Sequence, residues 1–420
     1  ALTGEANLLG LDMGGTSTDI AVVRDGRTTV VTEGSIDGLP VRLPMIEIRT
    51  IGAGGGSIGY RDTGGGLRVG PESAGAEPGP ACYGRGGTRP AVTDANAVRG
   101  LFDPDFFLGG AMALHLDRAV AAVGSLADAL GIDTPRAAAG MVQVANAAMA
   151  SAARLSLFEK GADPRDFVLV PFGGAAGLHA IGVAAELDMR RVLFPTDPGT
   201  LSARGILFAD IAHDLAETRL LGATDASLPV LTEMAERLRA AGEAVLARDG
   251  VPAGQRRLDL AADMRYRGQG YELLVPWQGA LDTQGLAQAV AAFHALHLER
   301  FAHQDLSETP EIVTLRLVAR GVLAKARIVA GAAHAAAEPK GHRTVDGREA
   351  PVYAREAIGD TALSGPMVIE EPYTTLWLPA GWSIRHIGAG NLLAERRDSA
   401  SGSEPQTRIA ARAFPAEPRT

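Results

Sequence analysis

Asp12 and Asp19 enclose two glycines and three hydroxyls, Gly14-Gly-Thr-Ser-Thr18. Glycines let a turn approach an anion closely enough for its N–H groups to point at it, and hydroxyls add further donors. Two carboxylates would repel a bare phosphate unless a divalent cation lay between them, so the set reads as a grip for a nucleotide with Mg²⁺. On this reading Asp12 and Asp19 are the catalytic and metal-holding residues, and Gly14, Gly15, Thr16, Ser17 and Thr18 hold phosphate. An ordinary hairpin with a Gly-Gly turn is the alternative, but a hairpin needs neither the acids nor the hydroxyls.

The elements that must position this turn are legible on both sides of it. Leu8, Leu9 and Leu11 form one apolar run and Ile20 to Val23 another, which predicts strand, turn and strand. After the Asp25-Gly26 turn, residues 28–33 are expected to continue as strand. Gly52-Ala-Gly-Gly-Gly-Ser57 is dense enough in glycine to be a second anion-binding loop or a flap over a substrate, with Gly54 and Gly55 as its contacts; a flexible connector is the alternative. From 62 to 89 glycine and proline are so frequent that regular structure is not expected. Thr93-Asp94 marks a helix start, leaving Asp94 either an N-cap or a metal or substrate ligand. Asp133-Thr134-Pro135 opens an alanine-rich helix that Gly161 closes. Phe167-Val-Leu-Val-Pro-Phe-Gly-Gly-Ala-Ala-Gly-Leu-His179 repeats the theme of strand, glycine turn and helix, the helix being expected over 180–187.

Composition narrows the class. The 420 residues are 46% apolar, with mean hydropathy near zero, and no run is long enough to span a membrane. A single cysteine, Cys82, excludes an intrachain disulfide and any multi-cysteine metal site. The start, Ala1-Leu-Thr-Gly-Glu5, has neither a basic leader nor an apolar segment, so a cytoplasmic location is expected. A net charge of −9 argues against general nucleic-acid binding. Lysine occurs only at Lys160, Lys325 and Lys340, so a P-loop ending in Gly-Lys is excluded.

Asp12-Met-Gly-Gly-Thr-Ser-Thr-Asp19 resembles the phosphate loop of the actin, Hsp70 and sugar-kinase ATPases. Three further stretches are similar to the hydantoinase A / 5-oxoprolinase family: Pro44-Met-Ile-Glu-Ile-Arg-Thr-Ile-Gly-Ala-Gly-Gly-Gly-Ser-Ile58, Arg68-Val-Gly-Pro-Glu-Ser-Ala-Gly-Ala-Glu-Pro-Gly-Pro-Ala-Cys-Tyr-Gly-Arg-Gly-Gly87 and Val92-Thr-Asp-Ala-Asn96. The resemblance implies an α/β fold, the second half of an actin-like (ASKHA, ribonuclease H-like) ATPase, followed by an α+β C-terminal region. Gly173, Gly174 and Ala175 match the turn that packs on adenosine, with His179 beside it in a neutral hydrogen-bonding role or a packing one. Two departures stand out: Ala176-Gly177 where the family has Gly-Pro, and Arg49 where it commonly has histidine.

Expected boundaries are 1–215 for the ATPase half, 216–330 for an α+β region, 331–398 for a small β-rich unit and 399–420 for a disordered tail. Within them Pro229 opens a helix that Gly250 stops, residues 258–266 alternate as a strand that puts Asp263 on its polar side, and a helix runs over 282–301. His294, His297 and His303 lack an acid to complete a metal set.

Only one D-x-G-G-T pattern is present, whereas actin-like ATPases clamp ATP between two halves. The expectation is therefore a fragment or split-gene product whose partners are an N-terminal half-domain and a hydantoinase B-type subunit. The resemblance implies ATP-dependent opening of a cyclic amide by phosphorylation of its carbonyl. The alternatives are a ketone carboxylase subunit of the acetone carboxylase type and a non-catalytic nucleotide-binding module. Cys82, whose only near cation in sequence is Arg85, is expected to be a packing thiol rather than a nucleophile.

Overall fold

The computed structural model describes residues 4–31, 34–36, 39–41, 45–325 and 337–397. Glu33 and the 399–420 tail therefore lie outside the described residues. The chain forms two compact units, one of Ala1–Ile20, Thr50–Pro198 and Ala330–Thr420, the other of Ala21–Arg49 and Gly199–Val329.

The first unit is built on a mixed sheet. β1 (Leu8–Met13) leads through the glycine turn into β2 (Thr18–Arg24). Leu9, Leu11 and Met13 are fully buried and alternate with Gly10 and Asp12, so the strand period of two puts Asp12 on the more open face. Val168–Phe172 pairs with β1 in parallel, Leu8 opposite Val168 and Asp12 opposite Phe172. Arg191–Phe194 follows in the sheet, and then Leu392–Arg396, which pairs antiparallel with it so that Phe194 faces Leu392. This last pairing departs from the expected order of domains: the C-terminal stretch completes the sheet of the first unit instead of standing alone. A second sheet joins Gly341–Val345, Arg348–Ala354, Met367–Glu371 and Thr374–Leu378.

Helices cover these strands. α1 (Val92–Val98), α2 (Leu116–Leu130) and α3 (Thr134–Phe158) share a core through Ala95, Val123, Ala138 and Met141. Asp133 accepts from the Arg136 N–H at 2.7 Å, and Pro135 occupies the first turn of α3. α4 (Ala176–Glu186) starts at Ala176, earlier than the expected Ala180. The glycine-rich stretch after residue 61 is more regular than expected. Leu67–Ser73 pairs with Ser57–Arg61, and Leu67 and Val69 pack on the core of α2 and α3; that packing outweighs the weak local propensity. Asp62 Oδ1 accepts from the Gly66 N–H at 2.8 Å and closes the turn.

In the second unit α5 (Leu201–Phe208) precedes an antiparallel sheet ordered Ile211–Gly222, Glu311–Gly321, Arg256–Arg265 and Leu273–Pro276. α6 (Leu228–Arg248) and α7 (Thr283–Phe301) bury Leu231, Met234 and Phe293 in its core. Asp263 lies inside rather than on the polar side: it is 3% exposed and paired with Arg316 at 2.7 Å. Burial alone would push its carboxyl pKa up, and the guanidinium opposes this. His294 Nδ1 meets the Tyr266 hydroxyl at 2.7 Å, and His297 Nδ1 meets the His303 carbonyl at 2.6 Å. No described helix is long and apolar enough to cross a membrane.

Candidate functional site

The parallel pairing of β1 with Val168–Phe172 sets two glycine turns side by side. Both turns leave the carboxyl ends of adjacent parallel strands, where ligands of α/β sheets commonly bind. In the first turn Gly14 N–H donates to the Ser17 carbonyl at 3.1 Å. Gly15 and Thr16 are exposed, and a Cβ added at Gly14 or Gly15 would meet nothing within 4 Å. The hydroxyls divide. Thr18 is fully buried and its Oγ1 donates to the Ala53 carbonyl at 2.5 Å, so it fixes the loop from below, while Thr16 and Ser17 remain accessible. Asp19 accepts from the Thr50 hydroxyl at 2.5 Å.

Gly54 and Gly55 sit behind the phosphate loop. Gly55 N–H donates to the Gly14 carbonyl at 3.0 Å, Gly56 N–H to the Gly15 carbonyl, and Gly54 N–H to Ser57 Oγ at 2.8 Å. A Cβ on Gly54 would stand 2.7 Å from the Gly15 backbone. The backbone donors of Gly54 and Gly55 are thus engaged by the protein, and this stretch is a buttress. Thr93 locks it further, its Oγ1 donating to the Gly55 carbonyl at 2.8 Å.

In the second turn Gly173 has φ +85°, which favours glycine. Its N–H donates to the Pro198 carbonyl at 2.9 Å, and the Ala175 N–H to the Met13 carbonyl at 3.1 Å. Gly174 is exposed. His179, one turn into α4, is fully buried and reaches no ligand space. Its ring contacts Asn96 and Asn146, and burial, with the Arg99 charge as a smaller cause, pulls its pKa down to about 3. It is neutral at physiological pH.

The two turns open onto a cavity of about 270 Å³. Gly14, Gly15, Gly174 and Ala175 form one side of it, Phe102 and Phe106 another, and residues 370–375 a third. Sequence reasoning missed both of the latter walls. The signal for the third was Glu370-Glu-Pro-Tyr373, a polar turn between two strands, and Thr374 Oγ1 there donates to the Gly174 carbonyl at 3.2 Å. Arg355 secures the turn by pairing with Glu371 and donating to the Phe194 and Pro195 carbonyls.

Asp94 and Cys82 have structural places. The Asp94 carboxylate is fully buried and accepts from the N–H groups of Ala81, Cys82 and Ala91 at 3.0, 2.7 and 2.8 Å. It therefore ties the loop at residues 81–82 to α1, from the third helical position rather than as the N-cap, which is Ala91. Cys82 is fully buried beside Ala97, Leu114 and Ala119, and burial pushes its thiol pKa up, away from a reactive thiolate.

A family model described as hydantoinase/oxoprolinase matches residues 1–215, just over half of the 420. The chain belongs to the hydantoinase/oxoprolinase family. This family member is 36% identical over 397 residues to the caprolactamase subunit alpha of Pseudomonas jessenii, covering 90% of this chain and 56% of that one. It is 33% identical over 398 residues to the 5-oxoprolinase PfmaA of Pestalotiopsis fici, covering 88% and 30%. Among solved structures, the ATP-dependent caprolactamase from P. jessenii superposes with a TM-score of 0.78 at 34% identity, over 94% of this chain and 59% of the other. Nucleotide-free acetone carboxylase gives 0.77 at 25% identity, again over 94% and 59%. The mixed α/β fold is therefore that of these two enzymes, and the chain spans a little over half the length of caprolactamase alpha.

Proposed function

We propose that this chain is the ATP-handling part of a cyclic-amide hydrolase, the second half of an actin-like ATPase fold. The observation that carries the reading is the pair of glycine turns on adjacent parallel strands, opening onto one cavity with Asp12 beside them. The N–H groups of Gly15 and Thr16, with the hydroxyls of Thr16 and Ser17, hold the terminal phosphates. Gly173 and Gly174 leave room for the nucleoside. Asp12 and Asp19 suit Mg²⁺, which commonly takes one or two carboxylates and completes its shell with phosphate and water. This fits a protein with no described group of three His, Cys, Asp or Glu placed to hold a metal unaided. When bound, Mg²⁺ would neutralise phosphate charge.

An amide carbonyl is a poor electrophile. Transfer of the γ-phosphoryl group to its oxygen leaves ADP and activates the carbon; one water then adds at that carbon, the ring C–N bond opens as the nitrogen takes up a proton and an acyl phosphate remains, and a second water hydrolyses the acyl phosphate to carboxylate and phosphate. The residues of this chain contribute by positioning. The buttress at Gly54, Gly55 and Thr93 keeps the loop in shape before substrate arrives, and the N-terminal half and a hydantoinase B-type subunit are the partners that complete the enzyme. The likeness to acetone carboxylase favours one rival, in which ATP activates a ketone and bicarbonate.

The discriminating experiment is phosphate release by this chain reconstituted with both partners. Stimulation by caprolactam, 5-oxoproline or a hydantoin supports the proposal. Stimulation only by a ketone with bicarbonate assigns the carboxylase reaction instead, and no ATP turnover under either condition overturns both.

A further inference from the structure

The second unit holds a larger cavity, of about 570 Å³, that shares no residue with the one at the glycine turns. Two arginines border it with donors to spare. Arg316 is part-buried, and its Nε donates to Asp263 Oδ2 at 2.7 Å. That bond uses one nitrogen of the guanidinium; among the described residues neither Nη group has a partner, and neither is sealed from solvent. Arg300, in the last turn of α7, is exposed and forms no ion pair among the described residues.

The acids on the same walls already have cations of their own. Asp263 pairs with Arg316, and Glu272 lies 3.8 Å from Arg265, which also pairs with Glu311 at 3.1 Å. Arg300 is therefore a positive charge on the wall without a counter-ion among the described residues. A guanidinium presents its N–H groups as a planar fork that matches a carboxylate or a phosphate.

The remaining wall decides between those two anions. In the strand Leu273–Pro276, Leu273 and Val275 are buried in the core of the second unit, so the strand period of two gives Leu274 the opposite face. Leu274 stands across from Asp263 in the strand register, and an apolar side chain thus lies next to the ion pair. Tyr271 and Phe301 also border the cavity, with ring centroids 4.6 Å apart and 39% and 40% of their surfaces exposed. Apolar and aromatic surface with a few polar groups suits an organic ligand, whereas bare phosphate would leave that surface wet.

We infer that this cavity binds a small organic carboxylate, its anionic group held by the open guanidinium donors and its carbon chain covering Leu274, Tyr271 and Phe301. The inference does not rest on the ATP reading, since none of these residues belongs to the glycine turns.

The test is ligand-observed NMR titration of the full chain with hexanoate, hexanamide and inorganic phosphate. Hexanoate is expected to bind with a Kd of about 1 mM, and hexanamide and phosphate about tenfold or more weaker. Arg300→Gln should melt with the wild type, because the side chain is exposed, yet lose about tenfold in hexanoate affinity, while Arg300→Lys stays within about threefold. No hexanoate binding by the wild-type chain at about 10 mM overturns the inference. So does hexanamide or phosphate binding as well as hexanoate, or unaltered hexanoate binding by folded Arg300→Gln.

Discussion

A Cβ on Gly173 would stand 2.5 Å from Oδ1 of Asp12 and equally close to the Met13 carbonyl. The second glycine turn is therefore cut to the shape of the acid that precedes the first, and the two turns form one piece of machinery.

Gly173→Ala must displace Asp12 or the β1 backbone, and it also strains a position at φ +85°. We expect it to destabilise the chain by about 1–3 kcal/mol and to weaken ATP binding tenfold or more. Gly174→Ala is the control for stability alone, since its added Cβ meets no protein atom closer than the Tyr373 carbonyl at 3.7 Å. Thermal unfolding of both variants checks the pair, calorimetry follows ATP binding by Gly173→Ala, and an equal loss of stability in the two would show that Gly173 is not fitted to Asp12.

Asp12→Asn and Asp19→Asn are expected to abolish ATP turnover in the reconstituted enzyme while the circular dichroism spectrum stays that of the wild type. Each removes a carboxylate that would hold Mg²⁺. Near wild-type turnover in both would return the loop to a plain hairpin turn.

Cys82→Ala is expected to keep most turnover, because the thiol is fully buried and its pKa is pushed up by burial, with Asp94 adding to the shift. Cys82→Leu should overfill the space beside Leu114 and Ala119 and lower stability by about 1–3 kcal/mol. A loss of more than about a thousandfold in a folded Cys82→Ala enzyme, roughly 4 kcal/mol of barrier, would place this residue in the chemistry.

His179 makes stability depend on pH. Its pKa falls from the ordinary 6.5 to about 3 in the fold, so between those values the unfolded chain takes up a proton that the native state refuses. Its contribution is complete above about pH 6.5 and declines as pH falls toward 3, by up to about 1.4 kcal/mol per unit. Urea unfolding at pH 7, 6 and 5 should show a shallower acid slope in His179→Gln than in wild type. Identical slopes would mean that the ring titrates as an exposed histidine does.

The sequence by itself determined the local grammar of the site. Asp12, the glycine turn and Gly173-Gly174 were legible because a turn at the end of an apolar strand is a short-range feature, set by residues within a few positions of one another. Helix starts such as Asp133-Thr134-Pro135 were legible for the same reason. What only the tertiary structure decided is which of these groups face a ligand. Thr18 and Thr16 are the same residue type two positions apart, yet one is buried against Ala53 and the other is exposed. His179 reads as a hydrogen-bonding or packing residue beside the second turn, and the fold buries it between Asn96 and Asn146, which no spacing rule connects to it. The cavity wall at residues 370–375 joins Gly174 across about 200 positions, and the strand Leu392–Arg396 joins Arg191–Phe194 across a similar gap. Such pairings depend on how whole faces of the chain exclude water together, and hydrophobic burial is non-directional, so no local pattern records which distant face it selects.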